Sequence, residues 1–495
     1  MGKTILQEEA DTTSINLPDE MLEHIFAYLP TKSLARTDVL SKHWNRLCLW
    51  RSHPHLIILD SVRDPLLSHK LTKLLRAVLS RRQPDSNITT FRLCSYLSPF
   101  CLRDCIDRVV MNHGIERLEL DVYLDCSFDL PSSLFDCNTL RVLTLNHQYE
   151  EPVDDRRYFS LWEEGTPLPS YRHFNYPDSR GLPSVHALSL TNVYFRGGSD
   201  LFSGDNFPLL RKLWLKNCRG LSHLNINCPG LEILKLDGLH LKGLNISGTG
   251  LLALRIIKCF RYVGSWAKIW APSLQSLYWE SRISVKCSVK SFRDLKTCSL
   301  RFHYKIPDRA TLQSASTLLS ATCFARSMFV GSGNRVLETL SKIDSEGGLP
   351  CSFTNLVTLE LHTYLTKDEI IGITCLLRSS PILRTMTIIS NSCSGTRNMD
   401  LDEKQYWKSQ IQNLKSIEVH LKVVRIDVQD VQMHERAVYL GKLLLCHGRA
   451  LQEMTLNLRS YPVVPSFEQQ RVQSEIMTFA HASSNVIVTL LPPHT

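Results

Sequence analysis

A six-residue pattern, apolar-x-x-apolar-x-apolar, recurs along the chain from about residue 90 and dominates its hydrophobic periodicity. The alternation of apolar and polar positions in its last four residues predicts a short strand with one buried face. The copies are IERLEL (115–120), LRVLTL (140–145), VHALSL (185–190), LRKLWL (210–215), LSHLNI (221–226), LEILKL (231–236), LKGLNI (241–246), LLALRI (251–256), LQSLYW (274–279), LKTCSL (295–300), LVTLEL (356–361), LRTMTI (383–388), LKSIEV (414–419) and LQEMTL (451–456). Strand-forming units that repeat in this way predict a solenoid of stacked coils.

The spacing of the central copies predicts what lies on the second side of each coil. Copies that begin at 210, 231 and 251 alternate with copies that begin at 221 and 241. A coil of about 20 residues therefore holds two short strands and two turns, which leaves little room for a helix. Turn-forming residues such as Asp237-Gly238 fall between the copies. We expect central coils with a short strand or irregular structure on their second side.

Helices are predicted between the strands in the second half of the chain. ATLQSASTLLSATCFARS and NRVLETLSKI, within about 308–341, are helical in character, and residues 353–458 alternate strand and helix. The residues of this last part that share a helical face are Ile370, Ile371, Thr374 and Leu377 in one segment and Ala437, Leu440 and Leu444 in another. Such longer repeats are expected to cap the end of the solenoid and to shield its strand edge.

The first fifty residues carry a different apolar pattern, which predicts three short helices. Pro18 suits the first turn of a helix, where its missing N–H would be unpaired in any case, and Pro30 stops that helix. The apolar face of this first helix consists of Leu22, Ile25, Phe26 and Leu29. Three short helices in about 35 residues cannot bury all of their apolar surface by themselves, so part of it is expected to form an interface.

The same segment contains L-P-D-E-x-L-x-x-I-F-x-x-L-P-T-K-x-x-x-R-T-x-V-L-S-K-x-W, and between Leu17 and Trp50 it resembles the plant F-box motif. The resemblance implies docking onto a Skp-type adaptor and, through that adaptor, onto a cullin ubiquitin ligase. The residues that it divides between the adaptor contact and the small core of the F-box are Leu17, Pro18, Leu22, Ile25, Phe26, Pro30, Leu34, Val39, Leu40 and Trp44. Asp38 and Asn45 depart from the family, which mostly has a small and a basic residue there.

The repeats resemble plant leucine-rich repeats, although the recurring Asn position is filled only irregularly, by Asn192, Asn217 and Asn227. The strand–helix region near the end resembles the FBD-type region of plant F-box proteins. Together these resemblances imply an α/β fold in which a three-helix F-box precedes a leucine-rich-repeat solenoid with short strands. The expected segments are a flexible tail (1–14), the F-box (15–60), the solenoid (61–345) with an insertion loop near 150–181, and FBD-like strand–helix repeats (346–495).

Composition excludes several classes of protein. Apolar residues make up 43% of the chain and charged residues 21%, which argues against wholesale disorder. The net charge of +9 is small for 495 residues and gives no argument for nucleic acid. The acidic start lacks the apolar core of a signal peptide, and no apolar run approaches the roughly 20 residues that span a bilayer. We expect no nucleic-acid or membrane partner, and a location in the cytoplasm or the nucleus.

The sequence offers no catalytic, cofactor-binding or metal-binding residue. It has no G-x-S-x-G, H-E-x-x-H or Walker pattern. Cys446 and His447 are adjacent, but neighbours in a helix point about 100° apart and do not face each other. The 16 cysteines contain no C-x-x-C pair and are expected to be small buried apolar residues in a reducing compartment.

Three questions stay open at the level of sequence. The segment 150–181, which lacks the repeat unit, is either a loop that contacts a partner or an insertion without a binding role. The tryptophans near the central coils, which are Trp214, Trp266, Trp270 and Trp279, are expected to fill the core, with interface anchors as the alternative. The expected function is substrate recognition for an SCF-type ubiquitin ligase; the alternatives are a small-molecule sensor and a scaffold outside ubiquitination.

Overall fold

A computed structural model gives the chain two compact units, Met1–Arg172 and His173–Thr495. The residues that the structure describes are 18–26, 29, 31, 33, 36, 54–59, 72–73, 75–80, 82, 87–124, 126–148, 174–177, 180–281, 285–290, 292–303, 309–331, 336–345, 349, 351–390, 399, 401–412, 414–429, 433–458, 474 and 486–491. Short parallel strands are the main elements of both units.

The first unit combines a parallel sheet with short helices. Its elements are α1 (Asp19–Phe26), β1 (His55–Leu59), β2 (Thr90–Tyr96), α2 (Pro99–His113), β3 (Arg117–Tyr123), β4 (Phe128–Asp129), α3 (Ser132–Phe135) and β5 (Val142–His147). The strands β1, β2, β3 and β5 pair in that order, all parallel. Alternate residues of each strand point inward, so that Leu118 and Leu120 of β3 are buried.

Helix α2 is delimited by its local sequence. The Ser98 side chain accepts a hydrogen bond from the Cys101 N–H at 3.5 Å, and Pro99 occupies the first turn. Gly114 ends the helix in the left-handed conformation, with φ 56°, which glycine adopts without a steric penalty. The helix buries Ile106 and Val109, and these apolar residues anchor it in the core of the first unit.

The second unit is built on a long parallel sheet. In chain order its strands are β7 (Ala187–Thr191), β10 (Lys212–Lys216), β12 (Ile233–Asp237), β14 (Ala253–Ile257), β16 (Ser276–Ser281), β18 (Thr297–Phe302), β19 (Ser327–Val330), β20 (Thr358–Thr363), β21 (Thr385–Ser390), β22 (Val423–Val428), β23 (Glu453–Leu458) and β24 (Ile487–Leu491). Each strand pairs in parallel with the next one in this order. The leucine-rich-repeat solenoid expected from the sequence is therefore confirmed.

The central coils carry a second parallel sheet, which confirms the expectation of short strands there. Its strands are β9 (Phe202–Ser203), β11 (His223–Asn227), β13 (Gly243–Ser247), β15 (Trp266–Trp270) and β17 (Lys286–Val289). Leu224 and Leu244 of this sheet are fully buried, as are Leu234 and Leu236 of β12. A separate short pair joins β6 (Phe174–Tyr176) to β8 (Val193–Phe195).

One residue in the left-handed conformation follows each of four successive strands of the long sheet. Asn192, Asn217, Gly238 and Lys258 have φ values of 57°, 51°, 63° and 49°. The N–H of each donates to a carbonyl at or next to the end of the following strand, as from Asn217 to Asp237 at 2.8 Å. Two of the three irregular Asn positions, Asn192 and Asn217, are therefore turn positions with a positive φ, which Asn and Gly tolerate best, whereas Asn227 is the last residue of β11.

Helices replace the second-side strands in the later coils. They are α4 (Arg309–Ala321), α5 (Val336–Ser345), α6 (Lys367–Ser379), α7 (Leu401–Ile411), α8 (Lys415–Val419) and α9 (His434–His447). The helices expected from ATLQSASTLLSATCFARS, NRVLETLSKI and the segments around Ile370 and Leu440 are all present. In α6, Ile370, Thr374 and Leu377 are buried as expected.

The copy LKSIEV (414–419) does not form the predicted strand, because Lys415–Val419 is the short helix α8. Leu414, Ile417 and Leu421 are buried and are spaced as on a helical face. The first and fourth positions of the repeat unit are three residues apart, so they suit a helix as well as a strand. The strand of this coil is instead β22, whose sequence VVRIDV contains more β-branched residues than LKSIEV. The other copies all overlap a strand.

The expectation that the central tryptophans fill the core is wrong for three of the four. Trp214, Trp266 and Trp270 are 45%, 38% and 40% exposed, whereas Trp279 is buried. The reason is the twofold alternation of a strand. Trp214 occupies an outward position of its strand between two buried leucines, and Trp279 occupies an inward one.

Candidate functional site

Helix α1 is the longest described stretch of the F-box segment and leaves apolar side chains exposed. Pro18 precedes it, and Asp19 and Glu20 lie in its first turn, where carboxylates favour the positive end of the helix dipole. Met21 and Ile25, one turn apart, are 57% and 48% exposed. This apolar strip is a surface that a partner protein can cover.

The other residues assigned to the adaptor contact are placed only in part. Leu22 and Phe26 lie within α1. Leu17, Pro30, Leu34, Val39, Leu40 and Trp44 lie outside the described residues. Thr31 is 5% exposed, and its Oγ1 accepts a hydrogen bond from the Ile57 N–H of β1 at 2.9 Å. The segment after α1 is thus joined to the sheet of the first unit.

The solvent-facing side of the long sheet carries a row of aromatic and cationic side chains. Strand register aligns Trp214, Lys235, Arg255 and Tyr278 at the middle outward position of successive strands. We define the aromatic–cation ladder as the set of Trp214, Lys235, Arg255, Tyr278, Arg301 and Phe329. The strands place these side chains on one face because alternate residues point to the same side.

Each cation of the ladder lies against an aromatic ring. The Lys235 Nζ is 4.9 Å from the centroid of the Trp214 ring, and the Arg255 Cζ is 4.3 Å from that of Tyr278. The Arg301 Cζ is 5.6 Å from the Tyr278 centroid and 4.9 Å from that of Phe329. Cation–π contacts at exposed sites contribute about 0.5–1 kcal/mol each, which is enough to orient these long side chains.

Glu280 fixes the orientation of the central tyrosine. The Tyr278 hydroxyl donates to Glu280 Oε2 at 2.9 Å, and Lys258 Nζ lies 3.2 Å from Glu280 Oε1. Burial by itself would raise the pKa of Glu280, but the hydrogen bonds from Tyr278 and Lys258 outweigh it, so the pKa is lowered. Burial and the bond to Glu280 raise the pKa of Tyr278. The Glu280 carboxylate therefore already has the Tyr278 hydroxyl and the Lys258 ammonium group as partners.

A cavity of about 340 Å³ lies on the sheet beside the ladder. It is lined by Lys235, Arg255, Tyr278 and Phe329 from the ladder, together with small hydroxyl residues. These hydroxyl residues are Ser276, Thr297, Ser299 and Ser327. Every residue that lines the cavity belongs to a strand of the one sheet, so the site is a depression in its open face.

The cations of the ladder have no acidic partner within the described part of the chain. Nearby cations are paired, as Arg211 is with Glu232 at 3.5 Å and Lys258 with Glu280. Lys235, Arg255 and Arg301 form no ion pair with a described carboxylate. The depression therefore presents positive charge, hydroxyl groups and aromatic edges together, which suits an anionic ligand with apolar side chains.

Other chemistry is sparse among the described residues. They contain no cluster of three or more His, Cys, Asp or Glu that could hold a metal ion. Burial raises the pKa of Cys218, Cys259 and Cys298 to about 12, so these thiols stay protonated and unreactive. No helix in the ranges described is long and apolar enough to cross a membrane. Residues 149–173, most of the insertion near 150–181, lie outside the described residues.

The sequence reasoning did not identify the ladder, although part of its pattern is visible. The fifth position of each repeat unit points outward, and successive units place Trp214, Lys235, Arg255 and Tyr278 there. Arg301 follows the end of its unit, and Phe329 lies in a strand that has no copy of the unit. Those two residues could be assigned to the ladder only once the strand register was known.

The comparisons with known proteins bear on the F-box segment and on the chain as a whole. Residues 15–53 match the F-box-like family. An F-box/FBD/LRR-repeat protein of Arabidopsis thaliana is 30% identical over 500 residues, which cover 96% of this chain and 94% of that relative. An F-box/LRR-repeat protein of the same plant is 24% identical over 412 residues, 79% of this chain and 77% of the relative. F-box/LRR-repeat protein 25, also from Arabidopsis thaliana, is 26% identical over 240 residues, 48% of this chain and 78% of the relative.

An F-box segment followed by a leucine-rich-repeat solenoid defines the class of plant F-box/leucine-rich-repeat proteins. Within that class, the similarity over nearly the whole length of both chains places this chain in the F-box/FBD/LRR-repeat family. The resemblances to F-box, leucine-rich-repeat and FBD proteins that the sequence suggested are confirmed.

Proposed function

We propose that this protein is the substrate-recognition subunit of an SCF-type ubiquitin ligase. Its F-box binds a Skp-type adaptor, which connects it to a cullin, and its repeats bind a protein target. The observation that carries the proposal is the match of residues 15–53 to the F-box-like family in a chain whose remainder is a repeat solenoid. The exposed Met21 and Ile25 of α1 are consistent with an apolar anchor.

The proposed mechanism is proximity. The F-box end is held on the ligase while the repeat sheet holds the target, so that a target lysine meets the ubiquitin donor at a high effective concentration. The chain itself needs no covalent chemistry for this role, and we assign it no catalytic residue, cofactor or metal. The target is a protein, with no nucleic acid or membrane involved, and the site of action is the cytoplasm or the nucleus.

The proposed division of labour follows the segments expected from the sequence. Residues 15–60 form the adaptor-binding F-box after a tail at 1–14. Residues 61–345 form the target-binding solenoid, and 346–495 form the FBD-like end. The adaptor contact uses residues from the set Leu17, Pro18, Leu22, Ile25, Phe26, Pro30, Leu34, Val39, Leu40 and Trp44.

A double substitution in the F-box tests the adaptor contact. Leu17→Ala with Pro18→Ala is expected to abolish co-purification with a Skp-type adaptor while the thermal unfolding of the repeats stays unchanged. Undiminished co-purification of the double variant would count against the assignment. Co-purification of the wild-type chain with the adaptor but without the cullin would select a scaffold outside ubiquitination instead.

The depression beside the ladder favours one second candidate, a small-molecule sensor. Its volume of about 340 Å³ is at the lower end of the range for ligand pockets. However, the strands of one sheet supply all of its lining, and ligand pockets are usually enclosed on more sides. The two functions separate in a binding assay with purified components: a receptor binds its target without an added small molecule, whereas a sensor requires one.

A further inference from the structure

The aromatic–cation ladder carries three positive charges that form no ion pair among the residues the structure describes. Lys235, Arg255 and Arg301 form no ion pair with a described carboxylate. The Arg301 Nε–H is buried and donates to no acceptor in the described part of the chain. A guanidinium group stacked on a ring keeps its N–H edges free for a carboxylate in the plane of the group. The row therefore presents N–H groups for which the described part of the chain supplies no carboxylate.

Apolar surface lies between the charges. Trp214 is 45% exposed, and Tyr278 and Phe329 are half-buried on the same face. Aromatic and arginine side chains together are typical of residues that dominate protein interfaces. A ligand that matches the row must therefore alternate negative charge with apolar groups.

The dimensions of the row suit an extended polypeptide. The ladder crosses β10, β12, β14, β16, β18 and β19. Adjacent strands lie about 4.8 Å apart, so these five intervals span about 24 Å, the length of about seven extended residues at 3.3 Å each. Side chains on one face of an extended peptide recur about every 6.6 Å. A peptide that crosses the strands can therefore present several side chains to the ladder.

Acidic side chains at the margin of the ladder limit what can bind. Asp237 and Glu280 lie on the same face at the next outward position, and Glu360 lies beside Phe329 in the register. A polyphosphate backbone, charged at every unit, would be repelled by these carboxylates, whereas a peptide carries carboxylates at only some positions and can place an apolar side chain beside Glu280, which pairs with Arg301 in the register. The observations favour a protein segment over a nucleic acid.

We propose that the ladder binds an acidic, extended segment of the target polypeptide in which Asp or Glu alternates with an apolar residue at every second position, so that both kinds of side chain lie on one face. The carboxylates contact Lys235, Arg255 and Arg301, and the apolar side chains contact Trp214, Tyr278 and Phe329. The hydroxyl groups of Ser276, Ser299 and Ser327 in the depression donate further hydrogen bonds, while the Thr297 hydroxyl donates to Ser276 Oγ at 3.0 Å. This inference rests on the proposed function, since it names the class of target that the repeats recognise.

Fluorescence anisotropy of a labelled nine-residue peptide, in which glutamate and tyrosine alternate at every second position with serine between them, tests the inference with the full-length chain. Binding is expected to weaken as salt is raised and to be lost when every glutamate is replaced by glutamine. The double variant R255Q/R301Q is expected to weaken binding at least tenfold, about 1.4 kcal/mol. Arg425→Gln is the matched control, because Arg425 occupies the same row but already faces Glu453 at 3.9 Å.

The outcomes separate this inference from the proposed function. Equal affinity of R255Q/R301Q and the wild-type chain would overturn it, as would equal affinity of the glutamine peptide. Binding only when phosphoserine replaces glutamate would overturn the choice of carboxylates, and efficient competition by single-stranded RNA would overturn the choice of a polypeptide. Co-purification with a Skp-type adaptor is measured on the same preparations. Loss of co-purification with the adaptor would contradict only the proposed ligase role. Retained co-purification without peptide binding would contradict only the proposed role of the ladder.

Discussion

Gly372 of α6 lies directly against the backbone of Leu337 in α5. A Cβ atom at position 372 would be 2.1 Å from the Leu337 carbonyl oxygen, which is far inside van der Waals contact. The carbonyl belongs to a helix and cannot move independently. This close approach lets two helices of neighbouring coils pack together, and it requires the absence of a side chain at one position of the FBD-like region.

Gly372→Ala is expected to lower the free energy of unfolding by about 1–3 kcal/mol, because the added methyl group forces the two helices apart. Gly441→Ala is the matched control in α9. There the nearest atoms are side-chain carbons at 3.6–3.8 Å, and alanine is expected to stabilise the helix by about 1 kcal/mol. Urea denaturation of both variants measures the effects. Equal changes in the two variants would contradict the packing argument.

The left-handed turn after β12 gives a second prediction. Gly238 has φ 63°, and a Cβ there would be 2.2 Å from Asn217 Oδ1 of the preceding coil. Gly238→Ala is therefore expected to destabilise the solenoid by about 1–2 kcal/mol. Gly248→Ala is the control, since its nearest atom would be at 3.5 Å. Thermal unfolding should separate the two variants, and indistinguishable midpoints would argue against the turn.

The hydrogen bond between Tyr278 and Glu280 gives a third prediction. Tyr278→Phe keeps the ring against Arg255 but removes the donor, so at neutral pH it is expected to cost about 1 kcal/mol. It is also expected to bring the lowered pKa of Glu280 closer to its ordinary value. Tyr262→Phe is the control, because its hydroxyl bonds to no residue within the described ranges. An unchanged stability of Tyr278→Phe would show that the bond contributes nothing.

Glu369 predicts a pH dependence of stability. It is the acidic member of the capping box with Thr366 in α6, and its Oε2 accepts hydrogen bonds from the N–H groups of Tyr364 and Thr366 at 3.0 and 3.1 Å. Burial nevertheless raises the pKa of this carboxyl above 4.5, and the hydrogen bonds offset only part of that effect. The folded state therefore holds the proton more tightly than the unfolded state does.

The sign of the effect follows from linkage. Well below pH 4.5, the Glu369 carboxyl is protonated in both the folded and the unfolded state and does not affect stability. As the pH rises through 4.5 toward the folded-state pKa, the carboxyl ionises more readily in the unfolded chain, so the folded state loses stability. Glu369→Gln keeps an acceptor for the capping box but cannot ionise. The variant is expected to be more stable than the wild type at pH 7.5 and to lose that advantage by pH 4. A constant difference across this range of urea titrations would contradict it.

The sequence was sufficient to predict which residues of the repeats face inward. Leu234 and Leu236 follow the alternation that the unit predicts, and the spacing of about 20 residues correctly excluded a helix from the central coils. The failures occurred where one spacing suits two structures. Leu414 and Ile417 are three residues apart, which allows a helix as well as the strand that we expected.

The ladder could be predicted only in part because it depends on register between strands. Trp214 and Lys235 occupy the same position of successive units, but Phe329 comes from a strand without the unit. Whether an outward Arg meets an aromatic ring across two strands is decided by non-local pairing, which a single sequence does not encode in its local pattern. The F-box, in contrast, is a local motif, so its resemblance was visible in the sequence alone.

We propose that the exposed strip of α1 binds a Skp-type adaptor, and co-purification of the full-length chain with that adaptor and the cullin measures this binding. Ile25, 48% exposed, is replaced by aspartate, with Glu20→Ala on the same helix as the control. We expect the wild type and Glu20→Ala to retain both the adaptor and the cullin. We expect Ile25→Asp to lose both, with unchanged thermal unfolding of the repeats. Full retention of the adaptor by Ile25→Asp, or failure of the adaptor to co-purify with the wild type, would contradict adaptor binding by α1.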